Sequence, residues 1–183
     1  MTWTNHYAAT GALALALTGR VDVAAAAVAT AALPDQLEAF LPLGKHRGAT
    51  HWLVLWLALL VAVPLYFPHD CARLMLSPGW HPLGITPLLT HWRLGTAVFG
   101  LALGPFLHVL LDGCSKEGVP VVPFSRAKLQ LCLYRTRNRR WPWDVTEWAF
   151  VAFLLAACAW SAGLWHADRH WVAWLHGWRG WIT

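Results

Sequence analysis

The sequence predicts an all-α membrane protein, a polytopic helix bundle with about five membrane-embedded segments and a C-terminal interfacial helix. Hydrophobic residues make up 57% of the 183 residues and charged residues only 13%, whereas about a quarter of a soluble domain is charged. The apolar residues are gathered in long runs, and tryptophans recur at helical spacing near the end of the chain. Such a chain has too little polar surface to cover a water-soluble globule.

Two short apolar segments open the chain, residues 7–18 and 23–33. Each is shorter than the roughly 20 residues of a spanning helix, so two short or tilted helices and a re-entrant pair are both open alternatives. Pro34 is expected to end the second segment, and residues 34–51 to form a polar loop. The N-terminal residues lack a basic stretch and a small-residue cleavage site, so we expect no removable signal peptide.

Three longer apolar runs predict further membrane-embedded helices. They are residues 52–67, 94–112 and 146–165. Pro64 is expected to kink the first of them near its end. Residues 68–93 are rich in proline, glycine and aromatic residues and predict an interfacial loop with a short surface helix. Residues 113–143 predict a polar, basic loop.

The end of the chain predicts a separate interfacial helix. Trp171, Trp174, Trp178 and Trp181 follow one another at steps that bring them onto one helix face, as in an anchor in the headgroup region. The sequence is therefore divided into a membrane-embedded domain, residues 1–165, and a tryptophan-rich tail, residues 166–183. The four cysteines are scattered without CxxC spacing, and we expect them to be small apolar residues of the bundle.

Ionisable residues gather on one side of the membrane when the crossings are counted. His108 and Asp112 close the run at 94–112, and their spacing of four residues puts them on one helix face. If the first two segments cross or dip and return, seven such residues come to this side. They are His6, Asp35, His46, His51, His108, Asp112 and Glu147.

The same side carries most of the chain's 14 lysines and arginines. They are Lys45, Arg47, Lys116, Arg126, Lys128, Arg135, Arg137, Arg139 and Arg140. Because cytoplasmic loops are enriched in basic residues, the cluster is predicted to face the cytoplasm.

Histidines and carboxylates together are the donor set of a mixed nitrogen and oxygen metal site. Zinc is the first expectation for these ligands, and manganese is the alternative. The seven residues exceed what one tetrahedral ion needs and would suffice for two or more ions. A polar network at the helix ends, without a metal, is the other interpretation of the same residues.

Four sequence patterns and a later glutamate carry a family resemblance. They are TNHYAATG around His6, PDQLE with Asp35, HRGATHW with His46, Arg47, Thr50 and His51, HVLLDGCSKEGVPVVP with His108 and Asp112, and Glu147. In this order they resemble the YdjM-like family of bacterial inner-membrane, metal-dependent hydrolases, which is also described as LexA-binding. The family's PDxDH pattern is matched only at Pro34 and Asp35, with Glu38 as a substitute for the missing ligand, and Trp52 replaces a serine after His51.

The resemblance implies an enzyme distantly similar to zinc-dependent phospholipases C and P1-type nucleases. A metal-activated water would hydrolyse a phosphoester of a lipid at the cytoplasmic leaflet of the inner membrane. Asp35, Asp112 and Glu147 would be the catalytic carboxylates. Arg47 and Thr50 would bind the substrate, although each has a second interpretation: Arg47 as an ordinary juxtamembrane charge, and Thr50 as a helix cap or a group that orients a histidine.

A second function belongs to another class, a membrane anchor with a structural metal site that binds a regulator protein. A metal or proton transporter is disfavoured because the two strong runs, residues 52–67 and 94–107, carry no ionisable residue in mid-helix. Membrane lipid is expected both as the environment and as the substrate. No specific nucleic acid is expected, since the basic run at 135–140 lies beside a membrane and outside any recognised binding fold.

Overall fold

The structure is a computed structural model, and it describes residues 2–40, 49–76, 94–123, 127–134 and 145–160, with side chains up to residue 72 in the second range. This part of the chain is mostly helical. The helices are α1 (Trp3–Thr18), α2 (Val21–Thr30), α3 (Leu33–Phe40), α4 (Leu53–Tyr66), α5 (Pro68–Leu76), α6 (Leu94–Gly113) and α7 (Val145–Trp160). A 3-10 turn, Ala49–His51, precedes α4, and β1 (Val119–Pro120) pairs antiparallel with β2 (Lys128–Leu129).

Helices α1 and α2 form a short hairpin. Gly19 has φ 65°, a left-handed conformation that glycine adopts without strain, and its N–H bonds to the carbonyl of Leu15 at 2.7 Å. Arg20 then pairs with Asp22 at the turn, with Nε 2.9 Å from Oδ1. The chain therefore reverses after α1, and His6 and Asp35 come to the same end of the bundle.

Helix α2 approaches α6 closely because α6 presents glycines to it. A Cβ atom on Gly100 would lie 2.7 Å from the Cβ of Ala26 and 2.8 Å from the carbonyl oxygen of Val23. One turn later, a Cβ on Gly104 would collide with the backbone of Ala27. This small-xxx-small contact is typical of helices packed within a membrane.

The expectation that Pro34 ends a helix was wrong. Helix α3 includes Pro34 in its first turn, where a missing N–H costs no hydrogen bond and the fixed φ angle favours the helix. The N–H of Gln36 bonds to the carbonyl of Ala32 at 2.9 Å as this helix begins. Asp35 therefore lies on a helix instead of a loop.

One helix of the described part is long and apolar enough to cross a membrane, α6 with 20 residues. At 1.5 Å per residue it is about 30 Å long, the thickness of the hydrocarbon core. Helix α4 is shorter, at 14 residues, because Phe67 leaves the helical conformation and Pro68 begins α5. Helix α7 is also shorter. The prediction of about five membrane-embedded segments is therefore not supported by helix length.

The predicted polar loop after α6 contains the β1–β2 hairpin, so the fold is not strictly all-α. The N–H of Leu131 donates to the carbonyl of Gly113 at 3.0 Å, at the end of α6. The hydroxyl of Tyr134 donates to the carbonyl of Leu111 at 2.9 Å, and its ring stacks on Phe150 of α7 at 5.1 Å. The hairpin thus closes the C-terminal end of α6 and joins it to α7.

Gly100→Ala tests the α2–α6 contact. We expect it to lower the free energy of unfolding by about 1–3 kcal/mol, because the new methyl group overlaps the backbone and side chains of α2. Thermal unfolding in detergent micelles measures the effect. The matched control is Gly11→Ala, whose Cβ would lie 2.9 Å from a side-chain atom, Cγ2 of Val28, and would meet no backbone atom. We therefore expect the smaller loss of stability for Gly11→Ala. Equal melting temperatures for the two variants would contradict the packing argument.

Candidate metal centre

The last turns of α6 bring His108 and Asp112 together at the end that the hairpin closes. Both side chains are buried. Asp112 has a histidine on each side, with Oδ1 3.3 Å from His6 Nε2 and Oδ2 3.8 Å from His51 Nε2. The hydroxyl of Ser115 donates to the carbonyl of Asp112 at 2.7 Å, which holds the helix end in place. Asp112 therefore lies between His6 and His51 at this end of α6.

His6 comes from the first turns of α1 and stacks on His108. The ring centroids are 3.9 Å apart and the ring planes are inclined by 21°. Burial lowers the pKa of His6 to about 4, although the hydrogen bond to Asp112 opposes the shift. The imidazole is therefore neutral at pH 7, which is the form that binds metals.

His51 comes from the 3-10 turn, and its neighbours fix the orientation of its ring. The hydroxyl of Thr50 lies 3.1 Å from His51 Nδ1, and the indole N–H of Trp56 donates to the Thr50 carbonyl at 2.7 Å. His51 Nε2 is then left to face the carboxylates. A partner on the other ring nitrogen is the usual support of a metal-binding histidine, so the geometry favours an orienting role for Thr50. Its predicted contact with substrate stays a prediction.

Asp35 completes the cluster from α3. Its Oδ1 lies 3.2 Å from His51 Nε2 and 3.6 Å from His108 Nε2, and its Oδ2 accepts the indole N–H of Trp3 at 3.1 Å. Burial alone would raise the pKa of Asp35, but the two imidazoles outweigh it and hold the pKa below its usual range. Asp35 is therefore a carboxylate at pH 7.

A shallow, open pocket of about 370 Å³ lies at the surface beside Asp35, lined by Trp3, Asp35, Glu38 and Ala39. Side-chain exposure is 17% for Asp35, against 0% for His51 and 3% for Asp112. Asp35 thus connects the buried cluster with the surface. Glu38, the expected substitute ligand, lines the pocket and does not belong to either group of metal-binding residues in the described part of the chain.

Two groups of residues could each hold a metal ion, and they share His108. They are His6, His108 and Asp112, and Asp35, His51 and His108, with the ligand atoms in each group within 4.8 Å of one another. Metal–ligand bonds of about 2.0–2.1 Å in a tetrahedral shell place neighbouring donor atoms about 3.3 Å apart. The measured separations between imidazole and carboxylate atoms are 3.2 to 3.9 Å.

Buried nitrogen atoms in the cluster also favour a cation. Within the described residues, Nδ1 of His6 and both ring nitrogens of His108 have no hydrogen-bond partner. A buried polar atom without a partner costs about 1–3 kcal/mol. A bound metal would satisfy the nitrogen that coordinates it. The donor set of either group therefore suits one divalent ion.

The sequence profile of the YdjM inner membrane protein family matches residues 1–178. The chain belongs to this family. The predicted membership of the chain in this family is confirmed, and the match extends into the tryptophan-rich tail. No curated protein and no solved structure matched the chain. The membrane location follows from the family, whereas the distant similarity to phospholipase C and P1 nuclease stays a prediction.

Glu147 lies beside the metal centre of this YdjM family member, outside both ligand groups. Its side chain is buried in the first turn of α7. Oε1 accepts hydrogen bonds from the N–H of Thr2 and from Nδ2 of Asn5, both at 2.6 Å. Glu147 therefore fastens α7 to the start of α1, next to His6. The remaining predicted residues, His46 and Arg47, lie outside the described part of the chain.

Sequence reasoning missed Asn5 and Trp3. Asn5 is fully buried and adjoins His6, and an amide in the first turn of an apolar helix was a signal for a polar contact. Trp3 gave no such signal, because it is one of 14 tryptophans. Its contact with Asp35 joins residues 32 positions apart and depends on the tertiary fold.

Glu147 variants separate a fastening role from metal coordination in this YdjM family protein. Glu147→Ala should lower the free energy of unfolding by about 1–3 kcal/mol, because Thr2 and Asn5 lose a buried acceptor. Glu147→Gln keeps an acceptor oxygen and should retain bound metal. Thermal unfolding and metal analysis of the purified variants measure both effects. If Glu147→Gln loses metal as completely as Asp112→Asn, Glu147 is a ligand.

Proposed function

We propose that the protein is an integral-membrane, metal-dependent hydrolase acting on a phosphoester of a membrane lipid. One observation carries the proposal: a buried cluster of histidines and carboxylates reaches a surface pocket through Asp35. Structural metal sites are closed, whereas catalytic sites keep a position for water or substrate. A cluster with one partly exposed member supports the catalytic kind.

The protein's own residues have distinct roles in this proposal. His6, His51, His108, Asp35 and Asp112 would hold the cation, with zinc as the first expectation and manganese as the alternative. The bound metal would supply Lewis acidity, lowering the pKa of a water molecule and polarising the phosphoryl oxygen. Asp35, which alone among these five lines the pocket, would hold the cation on the side from which water and substrate enter.

Exposed apolar side chains support a membrane-embedded bundle. Leu57 and Leu65 on α4 and Phe153 and Trp160 on α7 are exposed in the structure. Large apolar side chains on the outside of a bundle match a lipid environment. We propose that α6 crosses the membrane, that the shorter helices are embedded beside it, and that the basic loops hold the metal centre at the cytoplasmic face.

Removal of a metal-binding residue should abolish both metal binding and turnover. For His108→Ala and Asp112→Ala, we expect metal-dependent hydrolysis to fall more than about 100-fold, beyond the usual cost of losing an outer-shell partner. The assays are metal analysis and hydrolysis of phosphatidylethanolamine vesicles and of a soluble phosphodiester. The matched control is His69→Ala, an exposed histidine on α5. Turnover that survives in both variants would refute the assignment of this cluster as the catalytic site.

A structural metal in a membrane anchor for a regulator protein is the second candidate. The nearly complete burial of His6, His108 and Asp112 favours it. Chelation of the metal separates the two functions. A catalytic site predicts an inactive protein that stays folded at a lower melting temperature, whereas a structural site predicts loss of the fold, since structural metals contribute folding free energy outright.

The cytoplasmic orientation predicts a labelling pattern. Cys132 is exposed in the chain segment after β2, at the end of the bundle that holds the cluster. With Cys132 as the single cysteine, a membrane-impermeant maleimide should label inverted vesicles and spare right-side-out ones. His69→Cys in a cysteine-free background is the control and should show the reverse pattern. Its helix, α5, packs near the start of α6, where Asp70 accepts the N–H of Gly95 at 3.0 Å. The opposite labelling pattern would reverse the orientation.

A further inference from the structure

We infer that Trp3 is a positioning residue for the metal centre, whose indole N–H keeps Asp35 a one-oxygen ligand. The inference rests on the metal-binding part of the proposed function. Trp3 Nε1 donates to Asp35 Oδ2 at 3.1 Å. The other oxygen, Oδ1, faces His51 and His108 at 3.2 and 3.6 Å. The two oxygens of one carboxylate therefore have separate tasks.

This division matters because a carboxylate can bind a metal through one oxygen or through both. Two-oxygen binding takes up two coordination positions, whereas a hydrogen bond on Oδ2 withdraws that oxygen and leaves one position for water or substrate. Asp35 is the residue that joins the cluster to the pocket, so the position kept open lies on the accessible side. Hydrogen-bonded ligating carboxylates are a common way to orient metal ligands.

The backbone beneath Trp3 is held firmly enough for this role. Trp3 is the first residue of α1, and the preceding Thr2 donates its N–H to Glu147 at 2.6 Å. The Trp3 side chain itself is 53% exposed and lines the pocket. About half of the side chain is covered, and Trp3→Phe keeps an aromatic ring there, so the hydrogen bond can be deleted without unfolding the bundle.

The experiment compares Trp3→Phe, which lacks the donor, with Trp3→Gln, which restores an N–H of similar reach. In full-length protein in detergent, we expect Trp3→Phe to weaken zinc affinity about 10–100-fold in competition with a chelator. Trp3→Gln should recover most of that loss. Trp160→Phe, another exposed tryptophan at the end of α7, is the matched control and should bind zinc like the parent.

Cobalt substitution supplies a second readout that a purely structural role would not move. The visible absorption of cobalt(II) weakens as its coordination number rises, so Trp3→Phe should give a weaker spectrum than the parent and Trp3→Gln. The melting temperature of the metal-free protein should be the same in Trp3→Phe, Trp160→Phe and the parent.

Each outcome decides between the two proposals. Unchanged zinc affinity and cobalt spectrum in Trp3→Phe would overturn the positioning role while leaving the hydrolase untouched. A parent that binds zinc with the expected Trp3 effects but hydrolyses no phosphoester would sustain the positioning role and refute the hydrolase. A parent that binds no divalent metal would overturn both.

Discussion

The close approach of α2 to α6 is the constraint on which the metal centre depends. Because Gly100 and Gly104 have no side chains, the backbones of the two helices meet near Ala27. Helix α1 folds back from α2, which brings His6 onto His108, and α3 continues from the other end of α2 toward the same cluster. A bulkier residue on α6 would therefore displace ligands from two helices at once, although none of them contacts it.

Burial of charge is the reason that this arrangement would favour a cation. Asp112 is almost fully enclosed, and carboxylates in an apolar interior are costly unless they are paired or bound to metal. The neutral ring of His6 supplies a lone pair and no positive charge. A divalent ion between these groups would convert a costly cluster into a stable one. Since Asp35 is the partly exposed member, the same ion would be reached from the pocket.

The sequence was enough to predict that ionisable residues at several helix ends lie together, but it did not predict all the side-chain contacts among them. The spacing of His108 and Asp112 was enough to put these two residues on one helix face, because helical periodicity is read from the sequence. The count of membrane crossings stays a prediction. The prediction that Pro34 ends a helix was wrong, because Pro34 lies in the first turn of α3. The contact of Trp3 with Asp35 joins distant parts of the chain, which periodicity does not encode.

The first turn of α1 gives the site a further property, since it meets three other elements at once. Thr2 is bonded to Glu147 on α7, Trp3 to Asp35 on α3, and His6 to Asp112 on α6. A cation held by His6 and Asp112 would stabilise this docked turn by mass action, because an ion that binds only the assembled cluster favours assembly. Metal occupancy and the docking of α1 would then be one coupled equilibrium.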